Sequence, residues 1–192
     1  MIPSNSHDGV LPPFVPGGSP HDFGAVAPYR ADLLEVAQRY ATSKARIEIL
    51  QGLVAYREAL RSIGIQSGFQ WIDGSFVEDC ESIRKRPPSD VDIVTFAFRP
   101  QHLSDPGTWK AFIASRPDIF DPNTTKKIYR CDAYFVDLAV HPVHVVVQTR
   151  YWFGLFSHQR DTYLWKGMVE VPITLADADT SAFLSVEVAN AS

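Results

Sequence analysis

The apolar positions of this chain change period several times, and each change predicts an element. From Arg30 to Tyr40 and again from Ser43 to Ser62, apolar residues recur at three- and four-residue spacing. Ile47, Leu50, Val54 and the Ala59-Leu60 pair mark the second stripe, and Gly64 offers a stop. This predicts a helical hairpin packed on the rest of the domain. Phe69-Gln-Trp-Ile72 then forms a short buried strand that runs into Gly74-Ser75. Ser75 with Glu78 three residues on has the spacing of a capping box, so a helix is expected to start there and reach Arg84 before Pro87-Pro88 ends it. Beyond the prolines, DVDIVTFAF (90–98) predicts a second strand, Thr108 to Ser115 a helix, and Cys131 to Val140 a third strand. His144 to Phe156 reads as another helix and Gly167 to Val171 as an edge strand.

The flanks lack this patterning. Residues 1–28 are rich in Pro, Gly and Ser and predict an extended arm, with Leu11, Phe14, Phe23 and Val26 as apolar anchors. Residues 173–192, polar and Ala-rich, read as a tail, which leaves 29–172 as one domain with no internal repeat.

Composition narrows the classes. A chain of 192 residues, 45% apolar and 21% charged, can bury one sizeable core. A net charge of -4 excludes a general polyanion-coating protein, which needs surplus Lys and Arg, though a local basic patch stays open. Cys80 and Cys131 are too few for a disulfide framework and lack CxxC spacing, so two reduced, partly buried thiols are expected. The best membrane candidate, HVVVQTRYWFGLF, falls short of the roughly 18 apolar residues a span requires and is broken by Arg150. The first residues show neither a basic start nor an apolar signal core, and a cytoplasmic protein with no membrane contact is expected.

The chemistry gathers between Asp73 and Val94, DGSFVEDCESIRKRPPSDVDIV. Residues two apart on a strand point to the same side, so Asp90 and Asp92 project together while Val91 and Ile93 face the core. Two neighbouring carboxylates repel unless a cation lies between them, and hard oxygen donors suit Mg²⁺ or Mn²⁺. At Gly74-Ser75 a glycine allows close backbone approach, and the free N–H groups of a helix start attract phosphate. A phosphate cradle would then face a metal holder across one small sheet. Such a pair suits a nucleoside triphosphate, whose charge must be neutralised and whose α-phosphorus must be held in line with an acceptor hydroxyl. A third carboxylate completes such a site, and Asp132 and Asp137 are the candidates. They differ by an odd number, so only one of them can face Asp90 and Asp92 from a regular strand.

Gly74-Ser75 followed by Asp90-Val91-Asp92 resembles the Gly-Ser…Asp-x-Asp signature of the polymerase β-like nucleotidyltransferase superfamily, which includes tRNA terminal transferases, aminoglycoside nucleotidyltransferases and cyclic-dinucleotide synthases. LPPF at 11–14, the ATSKARIEIL helix, WIDGSF, CDAYFV and the YW…F…R…KG run at 151–167 together resemble a family of small bacterial nucleotidyltransferase-like proteins over roughly residues 10–172. The resemblance implies an α+β nucleotidyltransferase fold, with a small mixed sheet flanked by helices and preceded by the hairpin and arm. Asp90, Asp92 and Asp132 would be its catalytic, metal-holding carboxylates, CDAYFV favouring Asp132 over Asp137. Gly74, Ser75 and Lys166 would bind nucleotide. The implied activity moves a nucleoside monophosphate from a triphosphate to a hydroxyl of a protein, nucleic acid or nucleotide, in a defence or toxin–antitoxin setting. A homodimer or partner chain would complete the acceptor site of so short a chain.

Other signals have plainer readings. Arg84-Lys85-Arg86 suits a solvated helix end, where cations complement the dipole, with contact to a triphosphate or nucleic-acid acceptor as the alternative. The six histidines show no HExxH spacing. Tyr151, Trp152, Phe153 and Phe156 suit core or interface. Arg160 and Lys166 are candidate phosphate contacts, Lys166 first because Gly167 beside it permits close approach. A catalytically silent binding module competes with the enzyme; a sugar-nucleotide transferase using Asp-x-Asp for Mn²⁺ fits least.

Overall fold

A computed structural model describes residues 1–19, 21–173 and 177–190. Among these, five strands form one mixed sheet in the order β1-β5-β2-β3-β4. They are β1 (Tyr29–Arg30), β2 (Gly68–Asp73), β3 (Val91–Ala97), β4 (Cys131–Asp137) and β5 (Val169–Pro172). β2 runs antiparallel to both β3 and β5, whereas β3 pairs parallel with β4 and β1 parallel with β5. The architecture is α+β. β5 was expected at an edge; β1, only two residues long and supplied by the N-terminal region, covers that side.

Helices cover both faces. The hairpin forms as expected, as α1 (Leu33–Tyr40), capped by Asp32, and α2 (Lys44–Ser62), capped by Ser43. Ile47, Leu50, Leu53 and Leu60 of α2 pack on Ile72, Ile93, Ala133 and Val171 of the sheet, each large side chain contributing roughly 1.5–3 kcal/mol by leaving water. The opposite face holds Trp71, Val94, Phe96 and Val136 beneath Trp152 and Phe156 of α7 (Pro142–Phe156). Strand alternation divides the two cores. In β3, Val91, Ile93 and Ala97 enter the first, while Val94 and Phe96 enter the second and Asp92 shares their side.

Four sequence expectations change. The single helix expected from Ser75 to Arg84 is a 3₁₀ turn at Gly74–Val77 followed by α3 (Cys80–Arg84). The capping box does not form, because the Asp79 carboxylate accepts from Ser82 N and caps α3, leaving Glu78 for other partners. Residues 116–130, unassigned by the pattern, follow α4 (Pro106–Ser115) as α5 (Pro117–Phe120) and α6 (Pro122–Tyr129). The expected tail is a helix over most of its length: α8 (Ala178–Asn190) packs on α1 and α2 and buries Thr180 and Leu184. Just before it, Asp177 accepts from Arg57 and Arg61 of α2, and Arg57 also donates to Gln70 of β2, so a buried ionic network joins helix, sheet and C-terminal helix. Residues 174–176 and 191–192 of that stretch lie outside the described residues.

The arm packs on the domain, though not through every expected anchor. Leu11 is buried in the main core, and Tyr29 Oη donates to Pro12 O at 2.8 Å. Phe14 is half exposed and Phe23 fully so. Cys80 and Cys131 are free thiols, and both are fully rather than partly buried. Among the described residues no helix is long and apolar enough to cross a membrane.

Candidate functional site

The ends of four neighbouring strands converge on one cleft of about 630 Å³. The registers place Asp73 opposite Asp92 and Asp92 opposite Asp132, so three carboxylates cross β2, β3 and β4 in one row. Asp90 stands just before β3, and Lys166 just before β5 on the other side of β2. Strand alternation sends this row to the α7 side, where Asp132 shares its face with Tyr134, and Tyr134 packs against Trp152 with ring centroids 4.6 Å apart. Cys131 and Ala133 lie in the opposite core. Asp132 thus faces Asp90 and Asp92, while Asp137 lies at the far end of β4 and pairs with Arg99 at 3.0 Å.

Gly74 is where the turn meets the carboxylates. Its φ is +80°, a left-handed conformation that suits glycine, and a Cβ there would lie 2.0 Å from Asp92 Oδ2. The turn and the Asp92 carboxylate therefore touch only because Gly74 has no side chain. Ser75 follows on the cleft wall. Arg46, buried on α2, holds the turn from below, donating from Nη1 to Phe76 O at 2.5 Å and from Nη2 to Glu78 O at 2.6 Å. Its Nε reaches Glu81 Oε1 at 2.7 Å, and that contact holds Glu81 down to about 2.

Lys166 lines the cleft but is only 3% exposed, and its ammonium is already engaged. It lies 3.1 Å from Asp73 Oδ1, donates to Glu78 Oε1 at 3.0 Å and reaches Gly74 O at 3.3 Å. Burial alone would lower its pKa, but Asp73 and Glu78 outweigh that and raise it, so Lys166 is a fixed cation beneath the turn. Gly167 does permit a close approach, but of the arm: a Cβ there would meet Pro12 O at 2.4 Å. Glu78 is the hub of this layer, also accepting from Gln159 Nε2 at 2.9 Å and pairing with Arg84. Arg84 of the basic run thus faces the cleft, whereas Lys85, left-handed at φ 54°, and Arg86 are exposed beyond it.

Carboxylates outnumber cations across the row, and the proton affinities follow. Burial, reinforced by Asp90 and Asp132, pushes Asp92 up to about 6. Burial pushes Asp73 up to about 7 against the opposing pull of Lys166. Burial is the main cause of both shifts, with neighbouring carboxylates adding to it at Asp92. Part is relieved by Lys126 of α6, whose Nζ contacts Asp90 Oδ2 and lies 3.8 Å from Asp132 Oδ2. Among the described residues no three acidic, His or Cys side chains come together as a metal cage. The donor chemistry nevertheless fits a divalent cation: oxygen ligands only, a cation already drawn to Asp90 and Asp132, and an Asp92 carboxylate lying on a side-chain-free turn.

All six predicted site residues, Gly74, Ser75, Asp90, Asp92, Asp132 and Lys166, therefore line one cleft. Arg160 lines it too, as do Tyr151, Trp152 and Phe156, the last two being largely buried in the second core. Pattern reasoning missed Asp73, Glu78 and Lys126. Asp73 carries a readable signal, since it shares strand parity with Trp71 and immediately precedes Gly74. Asp121-Pro122 is an equally readable helix start that places Lys126 on a helix leading into β4.

Fold and site together define an α+β protein with an acidic cleft at one end of a mixed sheet. The chain belongs to a family of unknown function, DUF6932, whose model matches residues 3–172. That span takes in the arm, the sheet and the whole cleft and stops before α8. No curated protein and no solved structure matches the chain.

Proposed function

We propose that the protein is a polymerase β-like nucleotidyltransferase that transfers a nucleoside monophosphate from a nucleoside triphosphate to a hydroxyl acceptor, forming a bond from the acceptor oxygen to the α-phosphorus and breaking the α–β phosphoanhydride to release pyrophosphate. The observation that supports this best is the contact of the Gly74 turn with Asp92 Oδ2 at the centre of the Asp73–Asp92–Asp132 row. A phosphate cradle and a carboxylate cluster this close can act on the same phosphoryl group.

In this reading Asp90, Asp92 and Asp132 hold Mg²⁺ or Mn²⁺, which when bound neutralises the triphosphate and polarises the α-phosphorus. The backbone of Gly74 and Ser75 approaches the triphosphate, with Lys166 and Arg46 fixing the turn from behind. Asp132, nearest the open end of the row, orients the acceptor hydroxyl and takes its proton. The wide cleft mouth, lined by Tyr151, Arg160 and Tyr163, leaves room for the base and acceptor, and in this reading a second copy or a partner chain completes the acceptor site.

Incubating the pure protein with each α-labelled triphosphate and Mg²⁺ or Mn²⁺, then separating protein, nucleic-acid and small-molecule products, tests the activity and identifies the acceptor class. A silent binding module is the second reading, favoured by one observation: an ammonium of the chain itself, from Lys126, already sits on Asp90. Absence of label in every fraction, with a triphosphate still bound, would support that reading.

A further inference from the structure

α6 is built to carry a cation to the carboxylate row. Asp121 caps it by accepting from Thr124 N at 3.0 Å, and Pro122 occupies its first turn. Thr125, fully buried, donates from Oγ1 to Cys131 O at 2.8 Å, pinning the helix to the start of β4. Arg130 turns left-handed at φ 56° and its carbonyl accepts from Val91 N at 3.0 Å, so helix, β3 and β4 are fixed together close to Asp132. Lys126 extends from this anchored segment to Asp90 Oδ2 and toward Asp132 Oδ2. Its neighbour Lys127 is exposed and stands outside the cleft lining.

We propose that Lys126 is a tethered counter-ion that takes the place of the divalent cation between Asp90 and Asp132 when none is bound, so that metal and lysine compete for the same carboxylates. This rests on the metal-holding role assigned above. Two like charges this close need a cation, and a lysine on a fixed helix supplies one at high effective concentration. The Lys126 side chain is also 49% exposed, unlike that of Lys166, so it can leave the row without a buried ammonium losing its partner. Once displaced it remains on the cleft wall beside the incoming phosphates. The arrangement makes the site a poor binder of bare metal and a better binder of metal carried in on a triphosphate, whose own negative charge draws the displaced ammonium.

The test is calorimetric titration of the intact protein with Mn²⁺ alone, in wild type, Lys126→Met, Lys126→Arg and Lys127→Met. Methionine keeps most of the apolar stem and removes the charge. The expected result is Mn²⁺ binding roughly three- to fivefold tighter in Lys126→Met, the upper scale of removing one partly exposed ion pair. Lys126→Arg should stay near wild type, and Lys127→Met, which changes net charge equally, should stay within about twofold of it. Unchanged or weaker binding in Lys126→Met, with wild type binding Mn²⁺, overturns the competition and leaves the metal site standing. No binding in either protein at millimolar Mn²⁺ overturns both. Binding in Lys126→Met but not in wild type supports the competition in its strongest form, the lysine excluding bare metal from the wild-type row. If Lys126→Met does not fold, Lys126→Gln provides the same comparison, and a Mn²⁺-induced rise in melting temperature larger than wild type's is the equivalent result.

Discussion

Asp73 on β2 lies directly opposite Asp92 on β3, two carboxylates paired across an antiparallel ladder with Asp132 next in line. Like charges at such positions destabilise a sheet, and burial makes their ionisation costlier still: it pushes Asp92, with help from Asp90 and Asp132, up to about 6, and Asp73, against the pull of Lys166, up to about 7. Both are carboxylates whose folded pKa exceeds the unfolded value. Their contribution to stability is therefore fully present below about pH 4 and is lost as pH rises through 6 and 7.

The metal-free protein should accordingly melt at lower temperature as pH is raised from about 5 to 8. Glu81, with its depressed pKa of about 2, contributes the opposite slope only below its unfolded value of 4.5, outside this window. Asp92→Asn should remove much of the slope and raise the melting temperature at the alkaline end. Thermal melts in chelator across the window check this; a temperature flat or rising with pH in the wild type would count against the buried row.

Gly74 offers a second test. An Ala side chain at φ +80° costs about 1–3 kcal/mol of backbone strain and must also push Asp92 Oδ2 aside. Gly74→Ala should therefore destabilise the protein and weaken both Mn²⁺ and triphosphate binding. Ser75→Ala should leave stability within about 0.5 kcal/mol, because Ser75 caps no helix here. Equal triphosphate affinity in Gly74→Ala and wild type would remove the turn from the site.

The two acids of β4 should separate by readout. Asp132→Ala should abolish transfer in a folded protein, since Asp132 faces the row. Asp137→Ala should retain transfer but lose about 1–3 kcal/mol, because it strands the largely buried Arg99 guanidinium. Denaturant melts beside activity assays decide, and a dead, fully stable Asp137→Ala would reverse the assignment.

How much of this is legible in the sequence depends on the range of each signal. The strand alternation that sends Asp92 and Asp132 to one side and Val91 and Ala133 to the other is a local rule, and the structure obeys it. The α2 stripe is equally local and equally kept. The pairing of Asp73 with Asp92 is not legible, because the connection from 73 to 91 leaves register undetermined. Glu78 has the spacing of a capping partner, yet Asp79 offers a competing cap and wins, freeing Glu78 to gather Lys166, Arg84 and Gln159. In sequence Lys166 looks like a free cation. Its partners, Asp73, Glu78 and the Gly74 carbonyl, lie about ninety residues away and meet it only in the folded chain. α8 escapes the pattern because its amphipathic stripe is weak and its anchor, Asp177, finds Arg57 only in three dimensions.

That anchor predicts a large stability effect far from the cleft. Arg57 and Asp177 are nearly inaccessible and bonded at 2.7 Å, so Asp177→Ala leaves a buried guanidinium without its carboxylate and should cost about 3–5 kcal/mol. Arg30→Ala, which removes a pair with Glu170 whose arginine is 89% exposed, should cost under about 1 kcal/mol. Urea denaturation of both variants is the comparison; similar midpoints would contradict the network's role in holding α8.

The central claim, that the row around Asp92 supports nucleotidyl transfer, is tested most directly by following α-phosphate label from triphosphate to acceptor in wild type and Asp92→Asn with Mn²⁺ present. The predicted result is transfer by the wild type from at least one of the common triphosphates and only background transfer by Asp92→Asn, whose melting temperature equals or exceeds wild type's. Wild-type turnover in Asp92→Asn would contradict the claim.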